Sequence, residues 1–584
     1  MIIRIRRIGR VAGLALLALV AGCAQAPSEG ATAREAPAAS DLPPVPTASG
    51  LGSYLAGGIA QRDHNYAAAA EYLERTLKQD PDNVDLLRRA FLLRVSAGQM
   101  DRATALARRL VVVDPGSSLA SLVLLVAQEK AGDETGAAAS AERLSSDGLL
   151  RFSAPLVVAW TRAGQHDAKG ALEALDRLDR IRGFEQLKTF HLALIDDFVG
   201  NAEGASAAYR KIIAGAERLN WRTAEMAGRF YERHGQAAEA KALYERFAKE
   251  NPGNSELVQA GLQRIAAGEV PPPVVGGVKD GLAEAMFDIA SVLNQRDTED
   301  LSLVYAQLAI ELEPKHGLAR LLVAEIADSQ QRLEEALATY RSIDPSSPFS
   351  WQARMRAAEV LDQLDRTDEA IAELKKLAAE RPNSSQPLIE LGDILRGRNR
   401  FAEAVTAYDE AMARIPQIEP RHWALFYSRG IALERSGQWP RAEADFERAL
   451  ELQPDQPLVL NYLGYSWVEK GQHLEQALKM IERAVELRPS DGYIVDSLGW
   501  AFFQLGRYNE ATQYLEHALE LLPQDPTIND HLGDAYWRSG REAEARYQWR
   551  RALQFKPEAD QVKTIEAKLD KGLTAPPATG ARGG

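Results

Sequence analysis

An all-α solenoid of paired helices is predicted by three observations on one stretch of the chain. Pro454, Pro489, Pro523 and Pro557 follow one another at intervals of 35, 34 and 34 residues. Between them, Leu463-Gly464 with Trp467, Leu498-Gly499 with Phe502, and Leu532-Gly533 with Tyr536 recur in the same order. Each set is answered downstream by an alanine and a large apolar residue, as in Ala511 with Leu515 and Ala545 with Trp549. A fixed period of this length means stacked copies of one supersecondary unit, none of which can bury its apolar face alone.

The residue types follow from how two short helices cross. Gly499 and Ala511 fall where the helices of one unit approach most closely, and a larger side chain there would push them apart. Val495, Leu498 and Phe502 supply the apolar stripe of the first helix and Leu515 and Ala518 that of the second. Gly506 marks the turn between them and Pro523 stops the second helix. At this spacing, periodic aromatics such as Trp549 read as core.

The order W-x2-L-G-x2-Y, A-x3-F, P over Asp455–Glu558 resembles the tetratricopeptide repeat (TPR) family. The resemblance implies a right-handed superhelix, here of about 14 helix pairs plus a C-terminal capping helix, and a function carried on a surface that binds other proteins.

The N-terminus reads as an address. Residues 1–23 form a lipoprotein signal peptide, with Arg4, Arg6, Arg7 and Arg10 ahead of an apolar run, Val11 to Ala21, too short to span a bilayer. Its end, Val20-Ala21-Gly22-Cys23, resembles the bacterial lipobox, which implies a lipid on Cys23, the only cysteine of the chain. A single cysteine excludes an internal disulfide framework. In the lipoprotein sorting rule, Ala24 rather than aspartate after the cysteine implies the outer membrane, facing the periplasm. Residues 24–49, rich in Ala, Pro, Ser and Thr, cannot bury a core and read as a tether stiffened by Pro43-Pro44-Val45-Pro46.

An N-terminal array of about six units is expected over 50–265. Its markers include Gly57, Ala69 and Leu73 in the first unit and Gly228, Ala240 and Tyr244 in the last. The Pro271-Pro272-Pro273 and Gly276-Gly277 runs make 266–282 a linker, read as a hinge between two arrays or a loop in one superhelix. A C-terminal array of about eight units follows over 283–557, with a longer connection within Ile415 to His422. Residues 558–571 pattern as a capping helix and 572–584 as a disordered tail.

No chemistry-bearing constellation emerges. The net charge of −13 and the absence of a clustered basic stripe argue against nucleic acid. The histidines form no H-E-x-x-H pair, and neither a G-x-S-x-G elbow nor a phosphate loop is present. The expectation is a non-catalytic protein with no cofactor, metal or small-molecule substrate.

The groove carries more information. In the resembling family the first helices line the concave face, which places Asn461, Tyr465, Tyr493, Asp496, Trp500, Phe503, Asp530, Asp534 and Trp537 there. That set is aromatic and acidic, suited to a peptide with apolar and basic side chains. Of the Lys, Arg and Asn residues with which such proteins clamp a C-terminal carboxylate, only Asn461 is present.

Lipobox, tether and array together resemble outer-membrane TPR lipoproteins of Gram-negative bacteria. Within Asp496 to Arg551 they look most like adaptors of a periplasmic carboxy-terminal processing protease acting on cell-wall hydrolases. A scaffold for exopolysaccharide secretion is the alternative of the same class, and an enzyme with a site on the solenoid that of another.

Overall fold

The computed structural model describes residues 49–144, 150–295 and 298–573. The expected signal peptide, Cys23, the expected tether up to residue 48 and the expected tail from residue 574 lie outside the described residues. Thirty α-helices, and no strand, occur among the described residues. Six antiparallel pairs run from α1 (Gly50–Arg62) to α12 (Ala237–Glu250), followed by a single helix, α13 (Gln259–Ala267). Eight further pairs run from α14 (Val278–Leu293) to α29 (Glu542–Gln554), and α30 (Ala559–Lys571) ends the series.

The pairs form for the local reasons read above. In α26 (Gly492–Gln504) and α27 (Tyr508–Leu521), a Cβ added to Gly499 would stand 2.6 Å from Leu515 Cγ, so only hydrogen fits at the crossing. In α28 (Pro526–Arg538) and α29 the same atom on Gly533 would meet Trp549 at 2.4 Å. Ala511, Ala518, Ala545 and Ala552 face these crossings with no exposed surface. Asp491 and Asp525 cap the first helices by accepting from Ile494 N and Ile528 N. The longer connection after Ile415 ends in a 3-10 turn, Pro420–His422, whose flanking Glu419 and His422 cap each other.

The chain divides into two compact units that part between Val360 and Leu361. The segment 266–282, expected as a hinge or as a loop in one superhelix, lies inside the first of them. The irregular segment narrows to 268–277, because Gln259–Ala267 is helical and Gly268 closes it in the left-handed region (φ +68°). The helices after it do not begin a new body. Within the first unit, α14 packs on α7 (Ala154–Gly164) and α9 (Glu185–Phe198). Beyond it, α15 (Glu299–Leu312) packs on α3 (Val84–Ser96) and α5 (Ser118–Lys130). The prolines stop a helix, but they do not stop the apolar faces of α14 and α15 from finding the largest apolar surface in reach. Met286, Ile289, Leu303 and Tyr305 are all buried there.

Close fits and buried polar pairs fix this docking. Gly281 presses on the indole of Trp160, where a Cβ would stand 2.2 Å from Cε3. Trp160 Nε1 donates to His191 Nδ1 at 3.1 Å, and His191 Nε2 stands 3.2 Å from Asp288 Oδ2. This arrangement selects the Nε2–H tautomer of His191. Arg222 pairs with Glu284, and Ser153 and Tyr305 share a hydrogen bond of 2.8 Å. Lys130 meets Glu311 at 2.7 Å on the same contact.

Candidate functional site

The candidate surface belongs to the second unit. It is the inner face of α24 (Pro457–Glu469), α26 and α28, the first helices of the last three pairs. Tyr465, Trp500 and Asp534 occupy one register position in successive units, so they form a row, and Lys568 of α30 continues it 34 residues after Asp534.

Side-chain bonds run from each unit to the next along this face. Tyr462 donates to Glu434 at 3.3 Å, and Trp500 Nε1 donates to Glu469 at 2.5 Å. His531 Nδ1 lies 3.0 Å from Asp496 Oδ1. Lys568 Nζ donates to both oxygens of Asp530 at 2.9 Å and to Asp534 at 2.8 Å, and Trp549 Nε1 donates to Asp534 at 2.9 Å.

Rings stack on the same face. Trp500 is held between Phe503, 4.7 Å away and 9° off parallel, and His531, 4.1 Å away and 15° off parallel. Both faces of the indole are covered, and its edge remains. Trp537 sits between Trp549 at 5.4 Å and the Arg546 guanidinium at 5.3 Å. A Cβ on Gly572 would come 2.0 Å from the same indole.

Electrostatics follow from burial. Burial works against a charged His531, but the Asp496 carboxylate beside it, with Asp530 and Asp534 further off, outweighs that and holds its pKa above the ordinary value. Burial pushes the Asp534 carboxyl up, against the pull of Lys568. Burial also raises the Tyr465 phenol, reinforced by Glu469 and Asp496.

The expected groove set therefore resolves into two kinds. Asp496, Asp530 and Asp534 were expected to be free to select basic peptides, and they are instead taken by His531 and Lys568 of the same chain. A buried carboxylate without a partner would cost several kcal/mol, which is why the fold supplies one. Trp500 and Trp537 are packed between neighbours. Tyr493 is 48% exposed. Tyr465 and Phe503 are half-buried, and the Oδ1 of Asn461 is buried without a hydrogen-bond partner. Glu469 stands exposed at the end of α24 and was not anticipated. Nor was Lys568, although extending the 34-residue period beyond Pro557 would have found it.

Among the described residues no group of three His, Cys, Asp or Glu side chains could hold a metal ion, and no helix is long and apolar enough to cross a membrane.

Family models described as tetratricopeptide repeat match residues 304–350, 389–457 and 427–492, residues 60–144, and residues 226–254 and 352–384. One described as TPR repeat matches 499–540. Together these cover more than half of the chain. The chain belongs to the tetratricopeptide repeat family. TPR proteins bind protein or peptide partners and are generally non-catalytic, so this chain is a protein-interaction scaffold. It matches no curated protein.

Among solved structures this TPR chain is similar to one in the APC/C hetero-tetramer Cut9-Hcn1, with 16% identity over 89% of this chain and 96% of that one and a TM-score of 0.38. It is also similar to YrrB, described as a TPR protein with an unusual peptide-binding site, with 21% identity over 33% and 97% and a TM-score of 0.27. A tetratricopeptide repeat protein from Parabacteroides merdae shares 13% identity over 42% and 94%, with a TM-score of 0.35. All three TM-scores fall below 0.5, so the fold rests on the helix pairs and the family models.

Proposed function

We propose that this protein is a lipid-anchored scaffold of the bacterial envelope that grips an extended segment of a partner protein on the inner face of α24, α26 and α28. One contrast carries the reading. In the first unit the first-helix faces of α3, α5, α7 and α9 are covered by the chain's own α14 and α15. In the second unit α30 lies on α28, where Lys568 holds Asp530 and Asp534, while the packing of α24 and α26 among the described residues is chiefly with helices of their own and the adjoining pairs, and Tyr493, Phe503, Tyr465 and Glu469 leave an aromatic surface there. Rings with exposed edges provide contact area at low entropic cost.

The anchor is the lipid expected on Cys23, with residues 24–49 as the tether, which puts the array in the periplasm beneath the outer membrane. There the partner is a carboxy-terminal processing protease, which the scaffold brings to its cell-wall hydrolase substrates. The test is photo-crosslinking from position 493 of the tagged, lipidated protein in its own envelope. Recovery of the protease and its hydrolases supports the adaptor. Recovery of export and synthase subunits instead would replace it with a polysaccharide scaffold.

A further inference from the structure

The two terminal helices of the series differ in what they show to solvent. α30 exposes Lys563, Thr564, Glu566 and Asp570, a polar outer face of the kind that ends a solenoid. α1 does the reverse. Leu51, Tyr54, Leu55 and Ile59, spaced along one helical face, are between 40% and 69% exposed. They make up four of the ten large hydrophobic residues exposed among the described residues, so they form a patch rather than scatter.

The patch is open because α1 packs chiefly on α2 (Tyr66–Leu77), with Gly57 against Leu73. On the other side, a Cβ built on Gly58 would meet nothing within 4 Å. α3 contributes Arg89, whose guanidinium lies 5.4 Å from the centre of the Tyr54 ring. It donates to Tyr54 Oη at 3.2 Å and to Gln61 at 2.9 Å. Arg62, exposed, continues the apolar face three residues after Ile59.

Charge reverses here. The chain carries 82 Asp and Glu residues and a net charge of −13, yet Gly50–Arg62 contains no carboxylate, and Asp63 lies beyond its last turn. An apolar stripe edged by tyrosine and arginine is the make-up of a helix lying in a lipid–water interface, where the phenol sits at headgroup level and the guanidinium meets phosphate. A second copy meeting the patch about a two-fold axis would bring the same arginines and no carboxylate to receive them. Position in the chain points to the same surface. Only 26 residues separate Cys23 from Gly50. Even fully extended they reach about 90 Å, so α1 is the first helix that an anchored chain holds near the bilayer, and its docking is an intramolecular event.

We propose that α1 lies on the bilayer that carries the anchor, with Leu51, Leu55 and Ile59 in the headgroup–acyl boundary, Tyr54 at headgroup level and Arg62 on lipid phosphate. This rests on the reading of Cys23 as lipidated and adds a second membrane contact to it. The first helix pair is then held at the membrane surface instead of hanging from a loose chain.

The experiment uses the lipidated full chain, isolated from its own envelope and reconstituted in vesicles of phosphatidylethanolamine and phosphatidylglycerol. An environment-sensitive fluorophore is attached at Leu55→Cys or, as the control, at Gln513→Cys, an exposed position of α27. The only other cysteine is Cys23, whose thiol holds the lipid on this reading. Lipids brominated in their acyl chains should quench the label at position 55 at least twofold and leave that at 513 unchanged. Leu51→Asp combined with Ile59→Asp, both on the exposed face, should abolish the quenching without moving the thermal melt. Flotation with the vesicles but no more quenching at 55 than at 513 overturns the docking and leaves the anchor standing. Quenching that survives the double substitution overturns it as well, as does a blue-shifted but unquenched label, which would mean that protein covers α1. A chain that does not float with the vesicles overturns anchor and docking together.

Discussion

The imidazole of His531 is shared between two residues of the preceding first helix: its ring lies 4.1 Å from the indole of Trp500, nearly parallel, while its Nδ1 stands 3.0 Å from Asp496. One side chain thus joins two units through a stack and an ion pair, and its charge state is part of the packing. Its pKa is raised, because the pull of Asp496 exceeds the penalty of burial. A histidine raised in the folded state contributes stability that is fully present below its unfolded value of about 6.5 and is lost as pH rises through the folded value. Hydrogen exchange in α26 and α28 should therefore speed up as pH is raised from 6 to 9, after correction for intrinsic exchange. His531→Asn should flatten that trend, and an unchanged profile in the variant would contradict the assignment.

His316 of the first unit predicts the opposite sign. Burial, with Arg222 nearby, lowers its pKa to about 4, and the carboxylate of Glu284 that might have charged it is paired with Arg222. Its unfolded form binds a proton more readily than its folded form, so stability falls as pH drops from about 6.5 to about 4, by on the order of 3 kcal/mol. His316 Nδ1 accepts from Ala319 N at the start of Gly317–Ser329. Asparagine can keep that cap without titrating. Chemical denaturation of His316→Asn between pH 4 and 7 should show a shallower loss than wild type.

The crossing glycines should be intolerant of any side chain. Gly533→Ala and Gly392→Ala each place a Cβ 2.4 Å from a buried ring, that of Trp549 or Tyr408, and should cost about 1–3 kcal/mol. Glu510→Ala removes only an exposed pair with Arg507 and should leave stability almost unchanged. Equal thermal melts for the three variants would show that these crossings do not govern stability.

Docking of α14 can be tested away from the proposed binding face. Gly281→Val should force the helix off Trp160, and limited proteolysis should then cut within 268–277 at a rate well above wild type. Unchanged protection would mean that the docking does not depend on this contact.

Lys568→Met should leave Asp530 and Asp534 facing each other without a cation. The expected cost is about 3–5 kcal/mol, concentrated in α28 to α30, and smaller at acidic pH because the raised Asp534 carboxyl then protonates. Differential exchange of peptides spanning 526–571 checks both the size and the direction.

The repeat itself was determined by the sequence. Helix pairs, turn positions such as Gly506 and Gly540, and the small residues at each crossing recur within about 34 residues, and each is a response to neighbours a few turns away. The row of inner-face positions was legible for the same reason, and it even points to Lys568. Which of those positions stay open was decided only by the tertiary structure. Asp496 and His531 lie 35 residues apart and Tyr66 and Asp300 lie 234 apart, and both pairs exist because stacked units bring particular atoms together. The repeat period does not encode that choice, since it places a residue on a face without naming what the next turn of the chain sets against it. The return of α14 and α15 onto α3 to α9 has the same origin: a proline-rich segment ends a helix locally, while apolar surface elsewhere in the chain selects where the next helix is buried.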